Sequence, residues 1–382
     1  MTTDTPAFSP GLEGVPIAES SVSRVDGQAG RLTYRGYSIE DLTQHGTTFE
    51  ELVALLYDGE LPTATRIEEM RAHLERTRAL TDDQIALARQ AARITHPMFA
   101  LTAAVAALGP MTNDFEPHVE QAYDRGIALI ARVGHLVGTI AQAVAGREYD
   151  GPRPGESHAH MILRMITGHD PSPEHEEVLN YLLITQADHS AGNAGTFTSR
   201  VVTSTKAEPE AVVAASLCSL SGPAHGGANE HSLRLFQQIG DPAKAEQQIQ
   251  RLLADKYKIP GFGHRVYHVK DPRSIVIQRI ADRVITRQAD KDMYEIALTV
   301  ERVATDQLGS RGLFPNVDLF SGCVFAALDI PIDFFTPIFG ASRTAGWMVH
   351  LREQWASGNR IFRPTQIYTG QEHRDFVPIG QR

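Results

Sequence analysis

Beyond Tyr37, apolar residues recur at helical spacing along almost the whole chain, and proline and glycine cut that pattern into helix-length pieces. The run Phe49-Glu-Glu-Leu-Val-Ala-Leu-Leu-Tyr57 shows the spacing, and Gly59, Pro62, Pro97, Pro110 and Pro117 mark successive boundaries. Only residues 11–37 differ, with β-prone Val15-Pro16-Ile17 and Leu32-Thr33-Tyr34 set between glycine turns such as Asp26-Gly27-Gln28-Ala29-Gly30. One short hairpin region in a helix-patterned chain leaves helix-on-helix packing as the way to bury apolar surface, so the expected class is all-α. Residues 117–146, rich in Ala and Gly, read as a central or subunit-interface helix that neighbours approach closely. Loops fall at 149–156, at 168–174 and at Asp241-Pro242, and no internal repeat is visible. At 382 residues the chain outgrows a single core, which predicts two domains or a large domain with a smaller one inserted.

Charge and composition exclude several functions. A net charge of -10 disfavours nucleic acid, whose binders show a basic face. It does not disfavour anionic substrates, because distant surface charge is screened over about 8 Å while cleft arginines act at contact range. No uninterrupted apolar run reaches the roughly 18 to 20 residues of a membrane span, the longest being 97–111. The opening Met-Thr-Thr-Asp-Thr-Pro has neither the basic start nor the apolar core of a secretory signal, so a cytoplasmic location is expected. The two cysteines, Cys218 and Cys323, each fall in an apolar helical pattern and read as buried packing residues.

Four motifs in the second half set titratable residues against glycine or proline. They are Asp188-His189-Ser190-Ala191-Gly192-Asn193, Gly222-Pro223-Ala224-His225-Gly226-Gly227-Ala228-Asn229-Glu230, Gly261-Phe262-Gly263-His264-Arg265 continuing to Asp271-Pro272-Arg273, and Pro315-Asn316-Val317-Asp318. Catalytic side chains are commonly held this way, at element ends where backbone approaches closely. Singly, each motif has a plainer reading: a histidine beside a helix start caps or packs, and Asp318 could N-cap the apolar helix that follows. Gly261-Phe262-Gly263 lacks the third glycine of a dinucleotide loop, because Val266 stands there and no strand precedes it. Together, two histidines, an aspartate and Arg273, Arg343 and Arg363 form a set for removing a proton beside a carbonyl in the presence of a polycarboxylate. The arginine fork grips a carboxylate through two parallel hydrogen bonds.

These motifs, in this order, resemble the citrate synthase family. The similarity runs from Gly11-Leu-Glu-Gly14 and Tyr34-Arg-Gly-Tyr37 to Asn359-Arg360 and Arg363-Pro364. The resemblance implies an all-α fold with a short N-terminal β-hairpin: a large helical domain from residues 1–220 and 326–382, and a smaller helical domain at 221–325 that closes on substrate. It implies an acyltransferase that joins acetyl-CoA to oxaloacetate and hydrolyses the resulting thioester. His225 would hydrogen-bond the thioester carbonyl, Asp318 would deprotonate the acyl methyl group, and His264 would polarise the ketone. His189, Asn193, Arg273 and Arg343 resemble oxaloacetate ligands, and Arg363 resembles the arginine that a homodimer supplies to the neighbouring site. Coenzyme A, a co-substrate rather than a tightly bound cofactor, would meet Lys258, Ile259, Pro260, Gly261, Phe262 and Gly263, with phosphate contacts at His268 and Arg311. No metal is implied. The sequence departs from the family at His268, where Lys or Arg is usual, and at Gly195, where a small hydroxyl is common, so orientation of His225 would pass to Thr196 or water.

Three alternatives make different predictions. A 2-methylcitrate synthase would use the same residues on propionyl-CoA, a choice worth about 1 to 3 kcal/mol of pocket fit. A metal-dependent helical phosphohydrolase is suggested by the 16 histidines, among them His158, His160 and His169-Asp170, and would lose activity to chelators. A silent helical scaffold would give no reason for histidines and arginines to gather at glycine junctions.

Overall fold

The computed structural model describes residues 8–110, 119–371 and 373–382; the opening hexapeptide, Met111 and Pro117 lie outside them. Sixteen α-helices, four short 3-10 helices and one small sheet make up the regular structure among the described residues. Strand β1, Ser23–Asp26, pairs antiparallel with β2, Arg31–Tyr34, Val25 facing Leu32, and β2 pairs with β3, Tyr37–Ser38. Leu32 and Tyr34 alternate inward and are fully buried, as period-2 patterning requires. Val15-Pro16-Ile17 forms no strand, and Val15 is 45% exposed. The partner of β2 is instead Ser-Arg-Val-Asp, a polar sequence that carries no β signal of its own.

Helix starts follow side-chain chemistry. Thr48, Thr63, Thr81, Ser157 and Ser172 each accept a backbone N–H from the first turn of the helix they precede. At the centre, helix Phe335–Ala356 packs on Val119–Val144, Ala194–Ser204, Pro209–Leu220 and Pro173–Gln186. Val119–Val144 reaches a mean hydropathy of 1.6 over an 18-residue window, long and apolar enough to cross a bilayer, but 78% of that window is buried inside the molecule. It is therefore the central helix expected at 117–146. Interruptions such as His135 and Gln142 kept it from showing as an unbroken apolar run.

A second set of helices packs mainly on itself: Ala228–Ile239, Pro242–Ala254, Pro272–Ala281, Gln288–Leu308 and Val317–Ala327. The apolar core is continuous through both sets. Cys323 is buried as expected, whereas Cys218 is exposed, because it lies on the outward face of helix Pro209–Leu220.

Candidate active site

A cleft of about 1080 Å³ opens between the two sets of helices, and all four motifs reach it. His189, Asn193, His225, His264, Arg273, Asp318 and Arg343 line it together, with Lys258, Ile259, Pro260, Gly261, Phe262 and Gly263 along one side.

Asp318 is the second residue of helix Val317–Ala327 and does not cap it. Asn316 does, its Oδ1 accepting from Asp318 N at 2.9 Å, which leaves the Asp318 carboxylate to the cleft. Burial raises that carboxyl to about 7, with Asp271 adding to the rise while Arg273 and Arg343 oppose it. A base titrating near neutrality is what proton removal beside a carbonyl requires.

His264 follows a loop that is zipped to the strand-like segment before Asp318. Gly263 N donates to Phe314 O at 2.8 Å, Asn316 N donates to Gly261 O at 2.9 Å, and Asn316 Nδ2 donates to Gly263 O at 2.9 Å. Gly261 makes this approach possible: its φ is +78°, and a Cβ would lie 2.7 Å from the Leu319 Cα. The His264 Nδ1 accepts from Val266 N at 3.0 Å and Tyr267 N at 3.1 Å, so the ring proton sits on Nε2. Burial first, and then Arg273, lower its pKa to about 4, with Asp271 opposing them.

His225 sits in the turn between helices Pro209–Leu220 and Ala228–Ile239 and carries the opposite tautomer. Its Nε2 accepts from Gly195 N at 3.2 Å, leaving the proton on Nδ1. Orientation of His225 therefore comes from the Gly195 backbone and not from Thr196, whose buried hydroxyl has no partner among the described residues. Asn193 Oδ1, the cap of helix Ala194–Ser204, shares the same N–H at 3.1 Å. A Cβ at position 195 would stand 3.3 Å from both His225 Nε2 and Trp347 Cζ2. Burial, then Arg343 and Arg273, hold His225 neutral down to about pH 4.

Arg343 is 1% exposed, yet only its Nε has a protein partner, the Gln186 carbonyl at 2.5 Å. Both terminal nitrogens are buried without an acceptor among the described residues, and Phe339 lies under the guanidinium at 4.7 Å. Burial pushes the group down to about 10, still charged at neutral pH. Arg273, by contrast, is forked onto Asp271 at 3.0 and 2.6 Å. Next to them His189 is buried edge-to-face on His264, ring centroids 5.1 Å apart, its Nε2 without a hydrogen-bond partner among the described residues. Its proton affinity is held well below the usual range by burial, with Arg273 the next cause.

Three expected residues do not line this cleft. Arg363 is exposed beyond the last long helix, and His268 and Arg311 are exposed near each other, His268 Nδ1 standing 3.5 Å from where a Cβ on Gly312 would be. Conversely Phe339, which lines the cleft, and Asp271, which holds Arg273 from behind it, were not singled out as site residues, although Phe339 stands one helical turn before Arg343 and Asp271 caps helix Pro272–Ala281.

The histidines behind the phosphohydrolase alternative do not converge. His158 stacks on Phe49 with centroids 5.0 Å apart, His160 pairs with Glu176 at 2.9 Å, and His169 is exposed. His96, Glu230 and Asp333 do lie within 4.8 Å of one another. There His96 Nδ1 accepts from Met98 N at 3.2 Å, Thr336 donates to Glu230 at 2.6 Å and Arg234 to Asp333 at 2.9 Å, so one atom of each residue already has a partner in the protein.

A carboxylate base near neutrality, two neutral imidazoles with opposite tautomers and an arginine with free donors define an all-helical acid–base enzyme acting beside carbonyls. Residues 11–365 match the family model described as citrate synthase, C-terminal domain. Citrate synthase from Acidithiobacillus ferridurans is 39% identical over 99% of both chains, and that from Synechocystis is 39% identical over 100% of this chain and 96% of the relative. Among solved structures, the ternary complex of carboxymethyl coenzyme A and oxaloacetate with citrate synthase from Thermoplasma acidophilum aligns with a TM-score of 0.94 and 31% identity, covering 99% of this chain and 100% of that one. Citrate synthase from Pyrobaculum aerophilum aligns at 0.90 and 35%, covering 100% and 98%. The chain belongs to the citrate synthase family, whose members are acyltransferases.

Proposed function

We propose that the chain condenses acetyl-CoA with oxaloacetate and water to give citrate and coenzyme A. Asp318 takes a proton from the acyl methyl group while His225 Nδ1–H donates to the thioester oxygen, giving an enol or enolate. The new carbon–carbon bond forms as this carbon attacks the oxaloacetate ketone. His264 Nε2–H polarises that ketone and gives its proton to the developing alkoxide. Water then cleaves the citryl thioester and coenzyme A leaves. Electrostatic stabilisation by donors fixed in a dry cleft carries much of such a rate.

The observation that supports this reading is that Asp318, His225, His264 and the free end of Arg343 line one cleft. Arg343, Arg273, His189 and Asn193 receive the keto-diacid. Lys258, Ile259, Pro260, Gly261, Phe262 and Gly263 receive coenzyme A, and His268 and Arg311 meet its phosphates nearer the surface. In a homodimer, Arg363 of each copy completes the other's site, in keeping with its exposure away from its own cleft. Residues 221–325 act as the closing small domain between large-domain segments 1–220 and 326–382, and the enzyme works in the cytoplasm without a tightly bound cofactor or metal.

The test is thiol release with oxaloacetate, comparing acetyl-CoA with propionyl-CoA on the wild type and on Asp318→Asn. Wild type is expected to release coenzyme A at least about 10³-fold faster than the variant, and to be indifferent to chelators. Wild-type release no faster than that of Asp318→Asn with either thioester would sink the proposal, and a higher kcat/KM for propionyl-CoA would reassign the thioester.

A further inference from the structure

The hairpin of β1 and β2 touches both loops that carry the histidines facing the keto-acid. At one end, Ser23 Oγ accepts from Ser190 N at 2.9 Å and donates to Asp188 Oδ2. Ser190 has a φ of +67°, a left-handed conformation that a serine holds only when its surroundings fix it. Ser23 and Asp188 are those surroundings, and the next residue back is His189. Tyr34, on the paired strand, sets its hydroxyl 2.9 Å from Ile184 O and 3.2 Å from Asp188 O, so the loop is held from two strands.

At the other end, the turn packs backbone to backbone on the segment after His264. Gly27 O accepts from His268 N at 3.1 Å, and a Cβ at Gly27 would lie 2.0 Å from Val266 O, closer than a non-bonded carbon can approach. Val266 supplies one of the two N–H groups that fix the His264 ring. The hairpin thus reaches His189 through Ser23 and Ser190, and reaches His264 through Gly27 and Val266. Those two rings meet edge-to-face, 5.1 Å between centroids.

We propose that this hairpin is a spacer, and that Ser23 and Gly27 are positioning residues which set the separation of His189 from His264 and hence the affinity for oxaloacetate. The inference rests on reading the cleft as the oxaloacetate site. It gives the sheet a task that an otherwise all-helical fold does not require, since a spacer must connect loops coming from two different sets of helices. Neither residue lines the cleft, so each acts on the reaction through geometry alone.

The experiment measures KM for oxaloacetate and for acetyl-CoA, with kcat, on full-length Ser23→Ala, Gly27→Ala and Gln28→Ala. Gln28 is exposed in the same turn and serves as the control. Ser23→Ala is expected to raise the oxaloacetate KM about fivefold or more, and Gly27→Ala about tenfold or more, because each loosens a charge-assisted or backbone anchor. The KM for acetyl-CoA should stay within about twofold, and Gln28→Ala should match the wild type. Ser23→Ala loses a single hydroxyl and keeps the test valid should Gly27→Ala fail to fold. An oxaloacetate KM unchanged in Ser23→Ala, or equal rises in both KM values, would overturn the spacer alone. A wild type that turns over no oxaloacetate with acetyl-CoA would overturn the reading of the cleft, and the spacer with it.

Discussion

Asn316 binds Gly263 across the cleft wall: its Nδ2 donates to the Gly263 carbonyl at 2.9 Å, while its Oδ1 accepts from Asp318 N at 2.9 Å. One amide side chain thus ties the proposed base to the loop that ends in His264. Asn316→Asp keeps the acceptor that caps the helix but loses the donor to Gly263. It also sets a second carboxylate beside Asp318, which favours the protonated form there. The variant is expected to lose about 10-fold or more in kcat and to need a higher pH for half-maximal rate. A pH–rate profile with an unmoved acidic limb would count against the coupling.

Asp318→Asn separates catalysis from stability. In the unfolded chain this carboxyl ionises near its ordinary 3.8, and burial in the fold raises it to about 7. Between those values the folded state keeps a proton that the unfolded state has lost. The stabilisation from this group is therefore complete below about pH 4 and fades as pH rises through 7. An amide carries no such penalty, so Asp318→Asn should unfold at higher denaturant concentration than the wild type at pH 8, by about 2 to 4 kcal/mol, and show no gain at pH 4. The wild-type kcat/KM should rise with pH up to about 7, as the base ionises. Equal stability of the two proteins at pH 8 would show that the carboxyl is not held near 7.

His225 and His264 should carry their protons on different nitrogens. Ring ¹⁵N spectra of the free enzyme are expected to report Nδ1–H for His225, whose Nε2 accepts from Gly195, and Nε2–H for His264, whose Nδ1 accepts twice. Burial first, and then the neighbouring arginines, put both near 4, so neither should titrate between pH 5 and 8. A midpoint near 6.5 for either ring would mean that it is solvated and cannot serve as a neutral donor throughout that range.

How far the sequence could be read depended on whether a residue's surroundings are local. Helix boundaries were legible where proline or glycine acts on the adjacent turn, as at Gly59 and Pro97, and the motifs around His225, His264 and Asp318 were legible because each is contiguous. Strand Ser23–Asp26 was not, since its partner and not its composition makes it a strand. Nor was the Gly195–His225 bond, which joins residues 30 positions apart through a backbone N–H that no side-chain pattern encodes. Exposure of Cys218 was hidden for a related reason: an apolar helix pattern states that one face is buried and leaves open how wide that face is.

Arg343 offers the sharpest test of the keto-diacid site. Its Nε is committed to Gln186, and its two terminal nitrogens are buried with no acceptor among the described residues. A buried cationic donor left unpaired is costly, so the fold retains it only where an anion is received. A carboxylate meeting both nitrogens would make two charge-assisted hydrogen bonds, each contributing about 1.5 to 3 kcal/mol. Lysine keeps the charge but has one nitrogen on a flexible stem, cannot bond Gln186 and a carboxylate in parallel, and loses the flat face that lies on Phe339. Arg343→Lys is therefore expected to raise the oxaloacetate KM about 10²-fold or more while leaving the acetyl-CoA KM within about threefold. Steady-state kinetics on the two substrates separate these effects. If lysine restores oxaloacetate binding to within about fivefold, charge alone suffices at this position and the fork has no role.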